Sequence, residues 1–301
     1  MSDATISRME ERILNDEELV HNYDLVSIII PAHNYGRYIS EAIESVLVQS
    51  YPNLEIIVVD DGSTDDTKTA VKNYPTVKYV YQEHSGQPTP ARAKNNGIRL
   101  SKGEYIVFLD ADDQLFPSYI EECMPVMKTD PKIGMVWTGS LLFGDDIKRL
   151  ENGVYLPQVK TPHTRWSFYA TPGGPIGAAL IPRKVYDDVG SYDETLVSIE
   201  DLDFVIRLLH RHWKAKSISK PLHKYRMHGM NDHKQIMELG LKQLYNKYPL
   251  MYPYRTLYRF GLRGYRFFRH PTYTANKIHG KLHRIINSQM SKPTTIGLQM
   301  M

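Results

Sequence analysis

Between residues 25 and 113 the chain alternates two kinds of segment. Leu25–Ile30, Leu54–Val59, Val77–Tyr81 and Tyr105–Leu109 are short runs dominated by Val, Ile, Leu, Tyr and Phe. Such near-continuous apolar runs suit strands covered on both faces. Between them apolar residues recur at helical spacing: Ile39, Ile43, Val46 and Leu47 share one face, and a second helix is read over Thr89–Leu100, closed by Ser101-Lys102-Gly103. Pro31 is expected to stop the first strand, and Pro52-Asn53 to end the first unit. Strand and helix alternating with short connections predict βαβ units, hence an α/β fold with a mostly parallel central sheet and helices on both faces. Further along, Ile133–Thr138 reads as a strand with Trp137 in the core, and a helix starts near Glu200 with Phe204, Val205, Leu208 and Leu209 inward. Another helix is read over residues 231–250, and Arg8–Val20 reads as a peripheral one.

Charge changes the picture at two points. The second strand runs into Asp60-Asp61-Gly62-Ser63-Thr64-Asp65, and the fourth into Asp110-Ala111-Asp112-Asp113. Unpaired carboxylates inside a covered sheet are strongly disfavoured, so these must lie where the strands emerge. In open α/β sheets that carboxyl edge is where ligands bind. Crowded hard oxygens there suit Mg2+ or Mn2+, particularly an ion already carrying a phosphate. The plainer alternative is a solvated acidic turn. After the second strand, Ser63 or Thr64 is placed to cap the next helix, with Asp65 and Asp66 in its first turn. A dinucleotide-binding dehydrogenase would show G-x-G-x-x-G after its first strand; here Pro31-Ala32-His33-Asn34-Tyr35-Gly36 stands instead. A Walker A loop is absent as well.

The blocks Val26-Ser-Ile-Ile-Ile-Pro-Ala-His-Asn-Tyr35, Ala42-Ile-Glu-Ser-Val-Leu-Val-Gln-Ser-Tyr-Pro52, Glu55-Ile-Ile-Val-Val-Asp-Asp-Gly-Ser-Thr-Asp65, Gly103-Glu-Tyr-Ile-Val-Phe-Leu-Asp-Ala-Asp-Asp113 and Glu200-Asp-Leu-Asp-Phe-Val-Ile-Arg207 stand in that order. From Val26 to about Arg226 this pattern resembles the family 2 glycosyltransferases, inverting enzymes of GT-A fold that use nucleotide-activated sugars. The resemblance implies a donor half (25–113), an acceptor half (114–230), a peripheral N-terminal stretch (1–24) and a helical basic extension (231–301). It places the family's Asp-x-Asp motif at Asp110-Ala111-Asp112, with Asp112 binding Mn2+ or Mg2+ and Asp110 near ribose or metal. Asp61 corresponds to the aspartate that meets the nucleotide base, and a carboxylate accepting the imide N–H of uracil makes a UDP-sugar the first expectation. Asp60 either joins it or caps the next helix. Pro31, Ala32 and Asn34 would line the base.

Relatives often carry Ala-Arg-Asn-x-Gly where this chain has Ala93-Lys94-Asn95-Asn96-Gly97, with Arg92 two residues before Lys94. Lys94 offers phosphate a point charge but not the arginine fork; which of the two cations faces the donor is open. The resemblance assigns Asp201 as general base, with Glu200 or Asp203 next; the alternative is an acidic first turn favoured by the helix dipole. His228 falls where relatives bring a histidine to the metal or diphosphate. Gly173, Gly174 and Trp166 fall where the acceptor is contacted. A non-catalytic nucleotide-sugar-binding subunit is the rival from another class. A nucleotidyltransferase would need a basic, glycine-rich loop after the first strand, which Pro31–Gly36 is not.

Composition adds bounds. The 301 residues are 42% hydrophobic and 24% charged, ordinary for a globular protein. One cysteine, Cys123, allows no internal disulfide and fits a reducing compartment. The acidic N-terminal stretch is not a signal peptide, and no apolar run reaches the roughly 20 residues that span a bilayer, so a cytoplasmic protein is expected. Residues 239–301 hold eleven of the 37 Lys and Arg and none of the 34 Asp and Glu. Cations at 255, 259, 263, 266 and 269 fall on one helical face, with Leu257, Phe260, Phe267 and Phe268 near the other. This reads either as an interfacial segment on the inner face of a membrane, where a lipid-linked acceptor would lie, or as a helix packed on the catalytic domain. No nucleic-acid-binding module accompanies it, so nucleic acid is not an expected partner. On the membrane reading, deleting residues 239–301 abolishes sedimentation with anionic vesicles; unchanged binding would dispose of it.

Overall fold

The computed structural model describes residues 23–86, 89–144, 155–156, 177–228 and 234–248. The stretch read as a peripheral helix, the acceptor candidates Trp166, Gly173 and Gly174, and the cationic run from Arg255 lie outside them. Four strands form the parallel part of the sheet: β1 (Val26–Ala32), β2 (Leu54–Asp61), β3 (Val77–Gln82) and β4 (Tyr105–Phe108), in the order β3-β2-β1-β4. Helices α1 (Ile39–Leu47), α2 (Thr67–Val71) and α3 (Ala91–Leu100) make the connections.

Beyond β4 the sheet is mixed rather than parallel. β5 (Gln114–Leu115), β6 (Ile133–Phe143), β7 (Tyr155–Leu156), β8 (Ala179–Pro182) and β9 (Lys214–Arg226) extend it as β4-β8-β6-β9-β5, with β7 beside β6. β8 is antiparallel to both β4 and β6, β5 is antiparallel to β9, and β6 runs parallel to β9 through register shifts around Gly139. Helices α4 (Tyr119–Lys128), α5 (Arg183–Val189), α6 (Glu200–His210) and α7 (Lys234–Lys247) complete the described elements. None of the described helices is long and apolar enough to cross a membrane.

Every residue of β1 is buried, as a strand with a helical layer on each face requires. Ile28 and Ile30 join the core that includes Ile39, Ile43, Tyr119, Ile120 and Cys123 from α1 and α4. Ile29, pointing the other way, meets α3 at Gly97. Trp137 is buried in β6, as expected. Three local expectations fail. Neither Ser63 nor Thr64 caps α2, which starts only at Thr67, where Asp65 accepts from the Thr67 amide and so lies before the first turn rather than in it. Pro31 does not end β1, which pairs with β2 as far as Ala32 opposite Asp60. Pairing with β4 stops at Ile29 opposite Phe108, and the side of residue 31 that lacks an N–H faces that finished ladder, so no hydrogen bond is forfeited. Leu47 is exposed rather than inward. It is the last residue of α1, and Ser45 takes a buried place instead, donating to the Ala42 carbonyl and accepting from the Leu115 amide.

Gly97 shows how closely α3 lies on the sheet. A Cβ there would stand 2.3 Å from Ile29 Cγ2, a methyl on a fully buried, β-branched side chain that cannot swing away. Gly97→Ala should therefore lower the unfolding free energy by about 1–3 kcal/mol, although alanine is the better helix former; urea denaturation measures it.

Candidate active site

Asp60 and Asp61 end β2 and are both buried. The Asp60 carboxylate accepts from the Ser63 amide at 2.8 Å and the Tyr79 hydroxyl at 2.6 Å, so it holds the turn after β2 to β3. Asp61 accepts from Gln82 Nε2 at 2.5 Å and His84 Nδ1 at 2.7 Å. His33, in the loop after β1, donates to the Asp61 carbonyl and stacks on the His84 ring with centroids 4.3 Å apart. Asn34 adopts the left-handed conformation at φ 61°, one that asparagine tolerates better than most residues. From there its side chain accepts from the Thr64 amide, while its own amide donates to Ser63 Oγ. The loops after β1 and β2 are thus sewn together, with Pro31 and Ala32 paired alongside Val59 and Asp60. Gln82 and His84 carried no signal in the sequence, because their meaning depends on β3 lying next to β2.

After β4 the chain turns through Asp110-Ala111-Asp112-Asp113. Asp112 Oδ2 accepts from His228 Nε2 at 2.7 Å, and both side chains are buried. The His228 ring stacks on Tyr38, centroids 5.0 Å apart, with Tyr35 at its edge. Pairing of β5 with β9 fixes the next stretch of chain: Gln114 lies opposite Lys224 and Leu115 opposite His223. Asp113 consequently accepts from the Arg226 amide and lies 3.0 Å from His223 Nε2, whose ring also meets Ser140. Arg226 donates to the Asp112 carbonyl and to Glu41, its guanidinium lying over Tyr38 and Phe143. Arg226 was visible in the sequence only as a neighbour of His228, yet it ties the acidic turn to α1.

The two cations, Arg92 and Lys94, sit in different surroundings. Arg92 donates to the Glu83 carbonyl at 2.6 Å and remains partly exposed. Lys94 is buried, with Nζ 2.7 Å from Glu200 Oε1 and 5.7 and 5.3 Å from the Phe108 and Tyr192 ring centres. Glu200 lies within 3.5 Å of the Thr89 hydroxyl as well. Lys94, Asp110, Asp201, Tyr192 and Gly177 are among the residues lining one cavity of about 40 Å³. Burial works against the Lys94 charge, yet Glu200, Asp110 and Asp201 together raise its pKa. Burial likewise pushes Asp110 well above the usual carboxylate range, opposed by Lys94 and reinforced by Asp113 and Asp112. Asp112 is raised by burial and by Asp113, with His228 opposing. Asp201 is raised by burial and Glu200, with Lys94 opposing.

Asp110 from the acidic turn and Glu200 and Asp201 at the start of α6 therefore meet around Lys94. Asp112 and His228 form a carboxylate–imidazole pair suited to a hard divalent cation. Among the described residues no three His, Cys, Asp or Glu side chains surround a common point. Such a donor set fits Mg2+ or Mn2+ held by one or two protein ligands plus substrate phosphates, rather than a closed structural metal site.

A family model described as glycosyl transferase family 2 matches residues 27–190. The chain belongs to this family. Among its relatives are uncharacterized glycosyltransferases of Rickettsia bellii, 33% identical over 65% of this chain and 29% of that protein, and of Rickettsia typhi, 35% identical over 62% and 58%. Chondroitin synthase of Escherichia coli is 34% identical over 50% of this chain and 22% of its own length. The chain thus spans less than two thirds of these family 2 relatives. Two solved structures share the fold: S. aureus TarS 1–349 in complex with UDP-GlcNAc (TM-score 0.54, 20% identity, 73% of this chain and 66% of that one), and a Pyrobaculum calidifontis mannosyltransferase in complex with GDP-Man and Mn2+ (TM-score 0.53, 21% identity, 70% and 59%). The fold of this family 2 chain is GT-A.

Removing one partner of the Lys94–Glu200 pair strands a buried charge. Lys94→Met is expected to cost about 3–5 kcal/mol of stability, and adding Glu200→Gln to recover much of it. Urea unfolding of the double-mutant cycle reads the coupling; strictly additive losses would show that the two charges do not support each other.

Proposed function

We propose that this chain is an inverting, metal-dependent glycosyltransferase that moves a sugar from a nucleoside diphosphate sugar, a UDP-sugar in the first place, to a hydroxyl of a glycan or lipid-linked acceptor. The observation that carries the reading is the convergence of Asp110, Asp201 and the Lys94–Glu200 pair on one cavity, with Asp112 and His228 beside it. Support for the donor class comes from the sugar nucleotides named in the TarS and mannosyltransferase complexes. Support for UDP comes from Asp61, whose carboxylate at the end of β2 is of the kind that accepts an imide N–H.

In this reading the loops after β1 and β2 hold the nucleoside. Asp112 and His228 would hold Mn2+ or Mg2+, which would supply positive charge to offset the charge developing on the diphosphate. The acceptor oxygen forms its bond to the anomeric carbon as the bond from that carbon to the diphosphate oxygen breaks. The leaving diphosphate keeps the electron pair, and the acceptor proton passes to the Asp201 carboxylate. A single displacement inverts the configuration. Burial and Glu200 raise the pKa of Asp201, which strengthens it as a base for this transfer. Lys94, locked to Glu200, opposes that rise.

A panel of UDP- and GDP-sugars with Mn2+ tests the reading, scored by thermal shift and by release of nucleoside diphosphate. One donor is expected to raise the melting temperature and to be turned over. Asp201→Asn should lower turnover by about 10²–10⁴-fold while keeping the donor-induced shift; Asp112→Ala should lose both. A thermal shift without turnover for any donor would point to the non-catalytic binding subunit, and full turnover by either variant would overturn the site.

A further inference from the structure

We propose that α7, the first helix of the basic C-terminal stretch, is a positioning element for Asp201, acting through Gln243 and Gly240. This rests on the reading of Asp201 as the base. The segment Thr195–Ile199 leads directly into Glu200 and Asp201, and its last residue is strained. Ile199 sits in the left-handed region at φ 57°, where a β-branched side chain is a genuine outlier. A conformation of that kind persists only when the surroundings over-determine it.

The surroundings that do so come from α7. Gln243 Oε1 accepts from the Val197 amide at 2.9 Å, and Gln243 Nε2 donates to the Thr195 carbonyl at 3.0 Å. One side-chain amide thus grips two backbone groups of the segment, as a neighbouring strand would. One turn earlier, on the same face of α7, Gly240 admits Ser198 and Ile199 to near contact. A Cβ at Gly240 would lie 2.9 Å from the Ser198 carbonyl oxygen and 3.1 Å from both Ser198 Cβ and Ile199 Cγ1. Leu244, one residue beyond Gln243, is 1% exposed, whereas Met237 in the first turn of α7 is 52% exposed. At the other end of the segment the Asp203 amide donates to the Ile199 carbonyl, closing the first turn of α6. The left-handed residue is therefore held between α6, which carries the base, and α7, which fixes the approach to it. Moving α7 would release Ile199 and let the first turn of α6, with Asp201, shift against the cavity.

Four variants of the full chain test this: Gln243→Ala, Gln243→Glu, Gly240→Ala and, as control, Met237→Ser. Each is measured for turnover and KM with whichever donor of the UDP- and GDP-sugar panel is released fastest, and for amide hydrogen exchange. Gln243→Ala and Gly240→Ala are expected to lower kcat on the order of ten- to a hundredfold, leave the donor KM nearly unchanged, and speed exchange within residues 195–203. Gln243→Glu keeps the acceptor for the Val197 amide but loses the donor to the Thr195 carbonyl, so its kcat should fall between wild type and Gln243→Ala. Met237→Ser should match wild type. Wild-type kcat in both Gln243→Ala and Gly240→Ala, or unaltered exchange at 195–203, overturns the proposal, as does faster exchange spread evenly through the sheet. Should Asp201→Asn retain full turnover, the reading of the base fails. Should Asp201→Asn be inactive while the α7 variants behave as wild type, only the positioning role fails.

Discussion

An ammonium group buried against carboxylates is the constraint on which the centre of this fold depends. Asp110 follows β4, while Glu200 and Asp201 open α6. Glu200 is buried, and Asp110 and Asp201 are half-buried beside it. Carboxylates brought together in such a place repel one another and drive one another toward protonation. Lys94 relieves this at one point: its Nζ bonds Glu200 and lowers the pKa of both Asp110 and Asp201. Lysine suits the position by shape. A slender chain ending in a compact charge passes between Phe108 and Tyr192, where a planar guanidinium would need more room and more acceptors. The departure from the arginine often found in relatives is thus matched to a narrow, aromatic-walled channel.

The acids reach that point because the sheet changes character after β4. Strands β1 to β4 are parallel and their carboxyl ends face one edge, and so Asp60, Asp61 and Asp110 arrive there as a matter of topology. Asp112, Asp113 and His228 need more. β9, thirteen residues long, runs parallel to β6, pairs with β5, and brings Arg226 back to the acidic turn, where its amide and guanidinium bond Asp113, the Asp112 carbonyl and Glu41. The arginine is held by geometry as much as by charge. Lying over Tyr38 and Phe143, it keeps the histidine two residues later beside Asp112.

Much of this was legible in the sequence. Strands of Val and Ile that end abruptly in aspartate can sit in a covered sheet only if the acid emerges at its edge, so the acidic rim of the parallel strands followed from solvation alone. Helical spacing identified α1, and the start of α6 was read from Glu200 onward. The remainder depended on pairing between distant segments. Lys94 read as a cation for phosphate, since nothing near it in the sequence reveals a carboxylate 106 positions away. Nothing near Asp61 in the sequence reveals Gln82 and His84, which the pairing of β2 with β3 brings to its oxygens. Pro31 read as a strand stop because the side of the strand that lacks a partner cannot be told from composition.

The end of α6 that presents Asp201 joins these themes. A base must stand within hydrogen-bond reach of a hydroxyl that is not yet there, so its place has to be set by the protein rather than by the substrate. Flexible side chains cannot do that, but a backbone held in a disfavoured conformation can, provided neighbours on both sides forbid its relaxation. Ile199 meets this condition through α6 on one side and Gln243 with Gly240 on the other. Lys94 acts on the same neighbourhood, opposing the rise in the Asp201 pKa that burial and Glu200 cause. The two devices act on adjacent residues, Glu200 and Asp201, from opposite directions in the sequence. The helix that opens the basic C-terminal stretch is therefore, in physical terms, part of what holds the first turn of α6.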